Sequence, residues 1–149
     1  ERLVGRRFLT DERVIVAPPD MPRPTPPMEG QACAVRAVLL SATPPDVVWR
    51  IGSATQTDIV LEPEPVLRFS SLLMVRDAVL ASAGAALLPR LLVADDIAAG
   101  RLAYWGTHSG PQVEIWALQS SRRLVGAKVR AFLDIVERAF PEKVFVPSI

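Results

Sequence analysis

The order of apolar and polar positions divides this chain into a strand-like first half and a mixed second half. Arg13–Ala17 (RVIVA) is a β-branched run stopped by Pro18, Pro19 and Asp20, the pattern of a buried strand entering a turn. The residues before it, Glu1–Glu12, mix basic and apolar side chains around Gly5 and predict no particular element. Ala34–Leu40 and Val47–Ile51 predict strands on either side of a polar break at 41–46. Gly52–Gln56 is hairpin material, after which Thr57–Leu61 can return antiparallel. Glu62 and Glu64 then alternate with Pro63 and Pro65, and Val66–Phe69 predicts a further strand.

At Ser70 and Ser71 the rhythm changes. Either hydroxyl can cap a helix by accepting from the free N–H groups of its first turn. Leu72–Ala83 follows as a helix apolar almost all round, broken only by Arg76, Asp77 and Ser82, with Gly84 as its stop. Such a helix is buried on several sides or used at a subunit interface. Ala85–Leu88 predicts a short strand closed by Pro89, and Arg90–Ala99 a second helix, with Asp95 and Asp96 exposed and Gly100 ending it. Leu102–Trp105 predicts a strand, Gly106–Pro111 a turn and Val113–Leu118 another strand. Val125, Val129, Phe132, Val136 and Phe140 then share one helical face, and Pro141 precedes a tail. Strands alternating with helices imply an α/β sheet architecture.

Composition narrows the function classes. Half of the 149 residues are apolar and 22% are charged, enough apolar material for a core. Seventeen Lys+Arg against 16 Asp+Glu give a formal charge of +1, which removes the basic footprint of a nucleic-acid-gripping domain. Cys33, the sole cysteine, cannot form an intrachain disulfide and reads as a small hydrophobe. No apolar run approaches the roughly 20 residues of a spanning helix, so a soluble chain with no membrane partner is expected. Six of the 14 prolines fall within Pro18–Pro27, which predicts a stiff, extended connector. The chain opens at Glu1 without a starting Met and reads as a piece of something longer.

Catalytic chemistry is hard to assemble from these residues. No nucleophile elbow, zinc-protease helix, phosphate loop or dinucleotide fingerprint occurs. The lone His108 lies in the predicted turn without an orienting partner and reads as solvated. One His and one Cys make no zinc set, and neither metal nor cofactor is implied. Glu62, Glu64, Asp95 and Asp96 read as solvated carboxylates. A non-enzymatic, ligand-binding role is therefore expected. The concrete candidate is Phe69–Leu72, where a strand end and two serines meet a helix N-terminus whose N–H groups and dipole favour an anion. The competing reading is that a serine merely caps the helix.

Leu67–Gly100 (LRFSSLLMVRDAVLASAGAALLPRLLVADDIAAG) resembles the effector-binding domain of LysR-type transcriptional regulators. The likeness falls on Ala81, Gly84, Leu87, Leu88, Pro89, Asp96, Gly100 and Leu102. Val113–Phe132 looks like that family's return strand and last helix, with Lys128, Val129, Arg130 and Phe132 in the usual places. Glu1–Pro22 is similar to the strand leading across its hinge, and Val48–Ile51 to its hairpin.

The resemblance implies an α/β fold like that of type 2 periplasmic binding proteins, two subdomains joined by crossover strands, with the first subdomain incomplete in this chain. Residues 1–18 would end the first subdomain and supply the first crossover, and 19–105 would form the second subdomain. Residues 106–140 would supply the return crossover and the first subdomain's last helix, and 141–149 a tail. A small, anionic effector would lie in the cleft against Ser70 and Ser71, with Phe69 and Pro18 beside them. The apolar helix would join a homodimer or tetramer through Leu73, Met74, Asp77, Leu80 and Ala81. DNA would be contacted through a helix-turn-helix that this chain lacks. Two departures stand out: Ser82 replaces a usual Gly, and Ser-Ser-Leu replaces a more polar loop. The alternative is a type 2 solute-binding protein of a transport system, which shares the fold but carries a secretory signal in place of a helix-turn-helix.

Overall fold

Eight strands and two helices alternate along the chain: β1 (Leu3–Asp11), β2 (Arg13–Ala17), β3 (Ala32–Leu40), β4 (Trp49–Ile51), β5 (Ile59–Phe69), α1 (Leu72–Leu80), β6 (Ala86–Pro89), α2 (Arg90–Ala98), β7 (Ala103–Thr107) and β8 (Val113–Ser120). The computed structural model describes residues 3–26, 28, 30–52 and 58–120. The helix expected over Val125–Phe140, the tail after it and most of the hairpin Gly52–Gln56 lie outside the described residues. The chain divides into two units, one of residues 1–11 with 112–149 and one of residues 12–111.

In the first unit β1 pairs antiparallel with β8, from Leu3↔Ser120 to Asp11↔Val113, with a bulge between Arg7 and Leu9. The sequence predicted no element over β1. Its apolar residues do not alternate cleanly, and the strand is recruited by a partner more than a hundred positions away.

The second unit holds two three-stranded sheets, β6-β2-β7 and β3-β5-β4. β2 is central in the first and antiparallel to both neighbours. Val14 and Val16 enter one apolar cluster and Ile15 and Ala17 the other, which is why the sequence shows an unbroken β-branched run. The sheets join at Ala85, whose N–H donates to the Arg36 carbonyl (2.9 Å) and whose carbonyl accepts from Val38 (2.8 Å). They meet again at the Ile51↔His108 bridge, where the Ser109 N–H donates to the Arg50 carbonyl (2.9 Å). Ile15, Val35, Leu39, Trp49, Leu61 and Trp105 pack between the sheets. Val75 and Val79 of α1 and Val93 of α2 cover the other cluster with Val14, Val38 and Leu88. Each such buried side chain contributes roughly 1.5–3 kcal/mol, so these valines decide where the helices sit.

Several boundaries differ from the sequence reading. Val66–Phe69 is not a separate strand: β5 runs unbroken through Pro63 and Pro65 and pairs parallel with β3. Residues two apart direct their N–H groups to the same side of a strand. β4 covers β5 only at Ile59–Leu61, so both prolines can turn their missing donors to the flank without a strand partner. α1 ends at Leu80 rather than Ala83, because Ser82 (φ 67°), not Gly84, takes the left-handed position. The Ala83 N–H donates to Ala78 and the Ser82 N–H to Val79, a Schellman closure. Gly100 (φ 74°) closes α2 in the same way, as expected. β7 continues through Gly106 and Thr107, where a turn was expected, since Gly106 leaves the space that the Ile51 side chain fills.

Candidate functional site

Strand directions decide which loops meet. β3 runs parallel to β5, and the Ala37↔Ala85 bridge is parallel as well, so Leu40, Phe69 and Pro89 end on one side of the second unit. β2 runs the opposite way and brings its first residue there, with Arg13 opposite Pro89. Carboxyl ends of strands, a helix N-terminus and one arginine therefore converge, the place where open α/β sheets collect ligands.

A cavity of about 260 Å³ opens at this end. Val38, Leu39 and Leu40 of β3, Trp49, Leu72 and Val75 of α1 and Leu87 line it, together with the 42–44 turn and Val47. Arg68 holds that turn, donating from Nη1 to the carbonyls of Thr43 (3.2 Å) and Leu40 (3.5 Å). The Ser41 N–H adds a bond to the Phe69 carbonyl (2.8 Å). Arg13 is the one charged side chain in the lining, and its Nε is buried without a hydrogen-bond partner. A buried donor left unpaired costs about 1–3 kcal/mol.

Three of the four expected effector residues lie at this end of the unit, although none of them lines the cavity. Phe69 ends β5 and packs partly against the helix-covered cluster, Ser70 is exposed, and Ser71 is the N-cap of α1. Ser71 has extended backbone (φ −122°, ψ 132°) and makes no side-chain capping bond, so its hydroxyl is not used in the way capping requires. Pro18 is fully buried and follows the far end of β2, beyond Val16 opposite Ala86, at the other end of the sheet from the serines. Of the expected interface residues, Leu73 (57%), Met74 (50%), Asp77 and Ala81 are exposed, while Leu80 leans into the core.

Two other expectations are corrected. Asp96 is not a solvated carboxylate: its side chain is 2% exposed and accepts from Arg76 Nε of α1 (2.7 Å) and Arg101 Nε (2.9 Å). The Arg76 hydrogen bond, helped by Arg101, holds it below the usual carboxylate range against the opposing effect of burial. His108 is half-buried at the sheet junction, with Nδ1 3.1 Å from the Arg50 N–H and 3.2 Å from its carbonyl. Burial first, and then the positive charges of Arg13 and Arg50, push its pKa down, while the backbone contact opposes them. Arg90 pins the start of α2: its N–H donates to the Glu12 carbonyl (2.8 Å), and its Nε bonds the Glu12 carboxylate (3.2 Å). Its guanidinium lies over the Tyr104 ring, 5.2 Å from the centroid.

Sequence reasoning missed Arg13, Arg68 and Trp49 as site residues. Their hint was modest: Arg13 opens one apolar strand run, Arg68 lies near the end of another, and Trp49 follows a polar turn, with strand direction unknown. Chemically, the arrangement suits binding an amphipathic anion. Among the described residues no group of three His, Cys, Asp or Glu could hold a metal ion.

The family model of the LysR substrate binding domain matches residues 1–141. No curated protein matches the chain. Among solved structures, the regulatory domain of CrgA from Neisseria meningitidis is similar, with a TM-score of 0.69 and 21% identity over 93% of this chain and 69% of that one. The regulatory domain of the C227S variant of AphB from Vibrio vulnificus gives a TM-score of 0.61 and 20% identity over 91% and 69%. Against full-length AphB, the Vibrio cholerae virulence activator, the TM-score is 0.61 at 20% identity, with 94% of this chain spanning 49% of that one.

Proposed function

Because this chain belongs to the LysR substrate-binding domain family, with its type 2 periplasmic-binding-protein-like α/β fold, we propose that it senses a small anionic metabolite and thereby modulates transcription. The domain is the regulatory, effector-binding part of a LysR-type regulator, a class that acts by binding rather than catalysis. The observation that carries the finer reading is the meeting of Arg13, the 260 Å³ cavity and the N-terminus of α1 at the carboxyl ends of β3, β5 and β6. Unspent N–H groups and the helix dipole favour negative charge near Ser70 and Ser71. In this reading the bound effector biases the relative arrangement of subunits, and DNA is gripped by a helix-turn-helix elsewhere in the regulator. The regulator works as a cytoplasmic homodimer or tetramer. Family membership favours this role over solute capture for transport.

The test is binding and DNA occupancy in the intact regulator. Succinate and other small carboxylates are titrated against the wild type and the Ser70→Ala and Ser71→Ala variants, and occupancy of the target DNA is followed in parallel. A saturable change in occupancy, weakened several-fold in at least one variant, is the expected result. Occupancy that no small molecule alters would remove the sensing role. A response that both variants keep unchanged would move the anion away from the serines.

A further inference from the structure

Resting on the effector-binding reading above, we infer that the ligand is an amphipathic monocarboxylate: an apolar tail in the second unit's cavity and one acid group on Arg13. The cavity wall supplies the first half of the argument. Leu39, Trp49, Leu72, Val75 and Leu87 present hydrocarbon and an indole, and Thr43 is the sole side-chain hydroxyl in the lining. A polyhydroxylated or doubly charged metabolite placed there would lose its water without replacement partners. A hydrocarbon chain or a ring would instead bury apolar surface, at about 0.8 kcal/mol per methylene.

Arg13 supplies the other half. It is the one charged residue in the lining, and its Nε donor is buried with no acceptor. A guanidinium in that state gains a charge-assisted hydrogen bond when a carboxylate arrives, and its planar fork matches that group. The main chain holds the residue in place without the side chain's help, since its carbonyl accepts from the His108 N–H (2.8 Å) and β2 pairs on both sides. The unpartnered Nε is thus the donor left for a ligand, on a guanidinium whose Nη2 side faces Gly110 and His108. Arg68 acts indirectly, as a positioning residue that holds the Leu40–Thr43 turn at the mouth of the cavity.

The experiment is calorimetric titration of the intact regulator with butyrate, hexanoate, hexanamide and succinate. Affinity should rise about fourfold for each methylene between butyrate and hexanoate. Arg13→Gln should weaken hexanoate about tenfold or more while leaving the uncharged hexanamide unchanged. Leu72→Trp, at the half-exposed lip of the cavity, should weaken hexanoate while thermal unfolding stays at the wild-type temperature. Succinate binding more tightly than hexanoate, or hexanoate affinity unchanged in Arg13→Gln, would overturn the inference. If succinate alters DNA occupancy in a serine-dependent way while hexanoate does not bind, effector sensing stands and this assignment of ligand class falls.

Discussion

Two neighbouring small residues after α1 have opposite requirements. Ser82 sits at φ 67°, a conformation that costs a residue with a Cβ about 1 kcal/mol and glycine almost nothing. Ser82→Gly should therefore raise stability by up to about 1 kcal/mol, read as a higher denaturant midpoint at unchanged slope. Gly84 has an ordinary φ, but a Cβ there would stand 2.8 Å from the Arg36 carbonyl oxygen, where the two sheets join. Backbone cannot yield as a flexible side chain can, so Gly84→Ala should cost about 1–3 kcal/mol. Unfolding of the two variants side by side checks both signs. An unaffected Gly84→Ala would show that the junction is looser than its 2.8 and 2.9 Å hydrogen bonds imply.

The helices are locked together by one buried carboxylate. Asp96 near the end of α2 joins Arg76 in the middle of α1, and Arg101 closes the group. Removing one partner of a buried pair is costly, but Arg76 and Arg101 are 29% and 55% exposed and can return to water. Asp96→Asn should then lose about 2 kcal/mol at neutral pH, less than for a fully buried pair. The pH dependence follows from the lowered pKa. The folded protein binds the Asp96 proton less readily than the unfolded chain, whose ordinary value is 3.8. The pair's stabilisation is complete above that value and is lost as pH falls from it towards the lowered one. Wild type should lose stability more steeply than Asp96→Asn through that acid window, and parallel curves would refute the assignment.

At the scale of the molecule, α1 has an inward face and an outward one. Val75 and Val79 anchor it, whereas Leu72, Leu73 and Met74, consecutive at its start, remain exposed. Clustered apolar exposure of this kind marks an interaction surface. We propose that it serves self-association of the regulator. Leu73→Glu should shift the intact regulator from dimer towards monomer by sedimentation, with its circular dichroism unchanged. A sedimentation coefficient equal to that of the wild type would place the interface elsewhere.

Local chemistry in the sequence determined most elements of the second unit. The β-branched run of β2, Pro89 at the end of β6 and Gly100 after α2 each act within a few residues of themselves, and Ser71 takes the N-cap position of α1 although its hydroxyl makes no capping bond. The resemblance to LysR effector domains was legible as well, because it rests on the order of such signals along the chain. What depended on partners far along the chain was not legible. β1 forms only with β8, and β5 tolerates two prolines only because β4 is short. Asp96 becomes buried when α1 brings Arg76 to it, and His108 when β4 meets the end of β7. The site divides in the same way. Ser70 and Ser71 were found from a local strand-to-helix transition, but strand direction alone decided that Arg13 comes to the same end of the unit and Pro18 does not. Direction is set by long-range pairing, and no local pattern of apolar and polar residues encodes it.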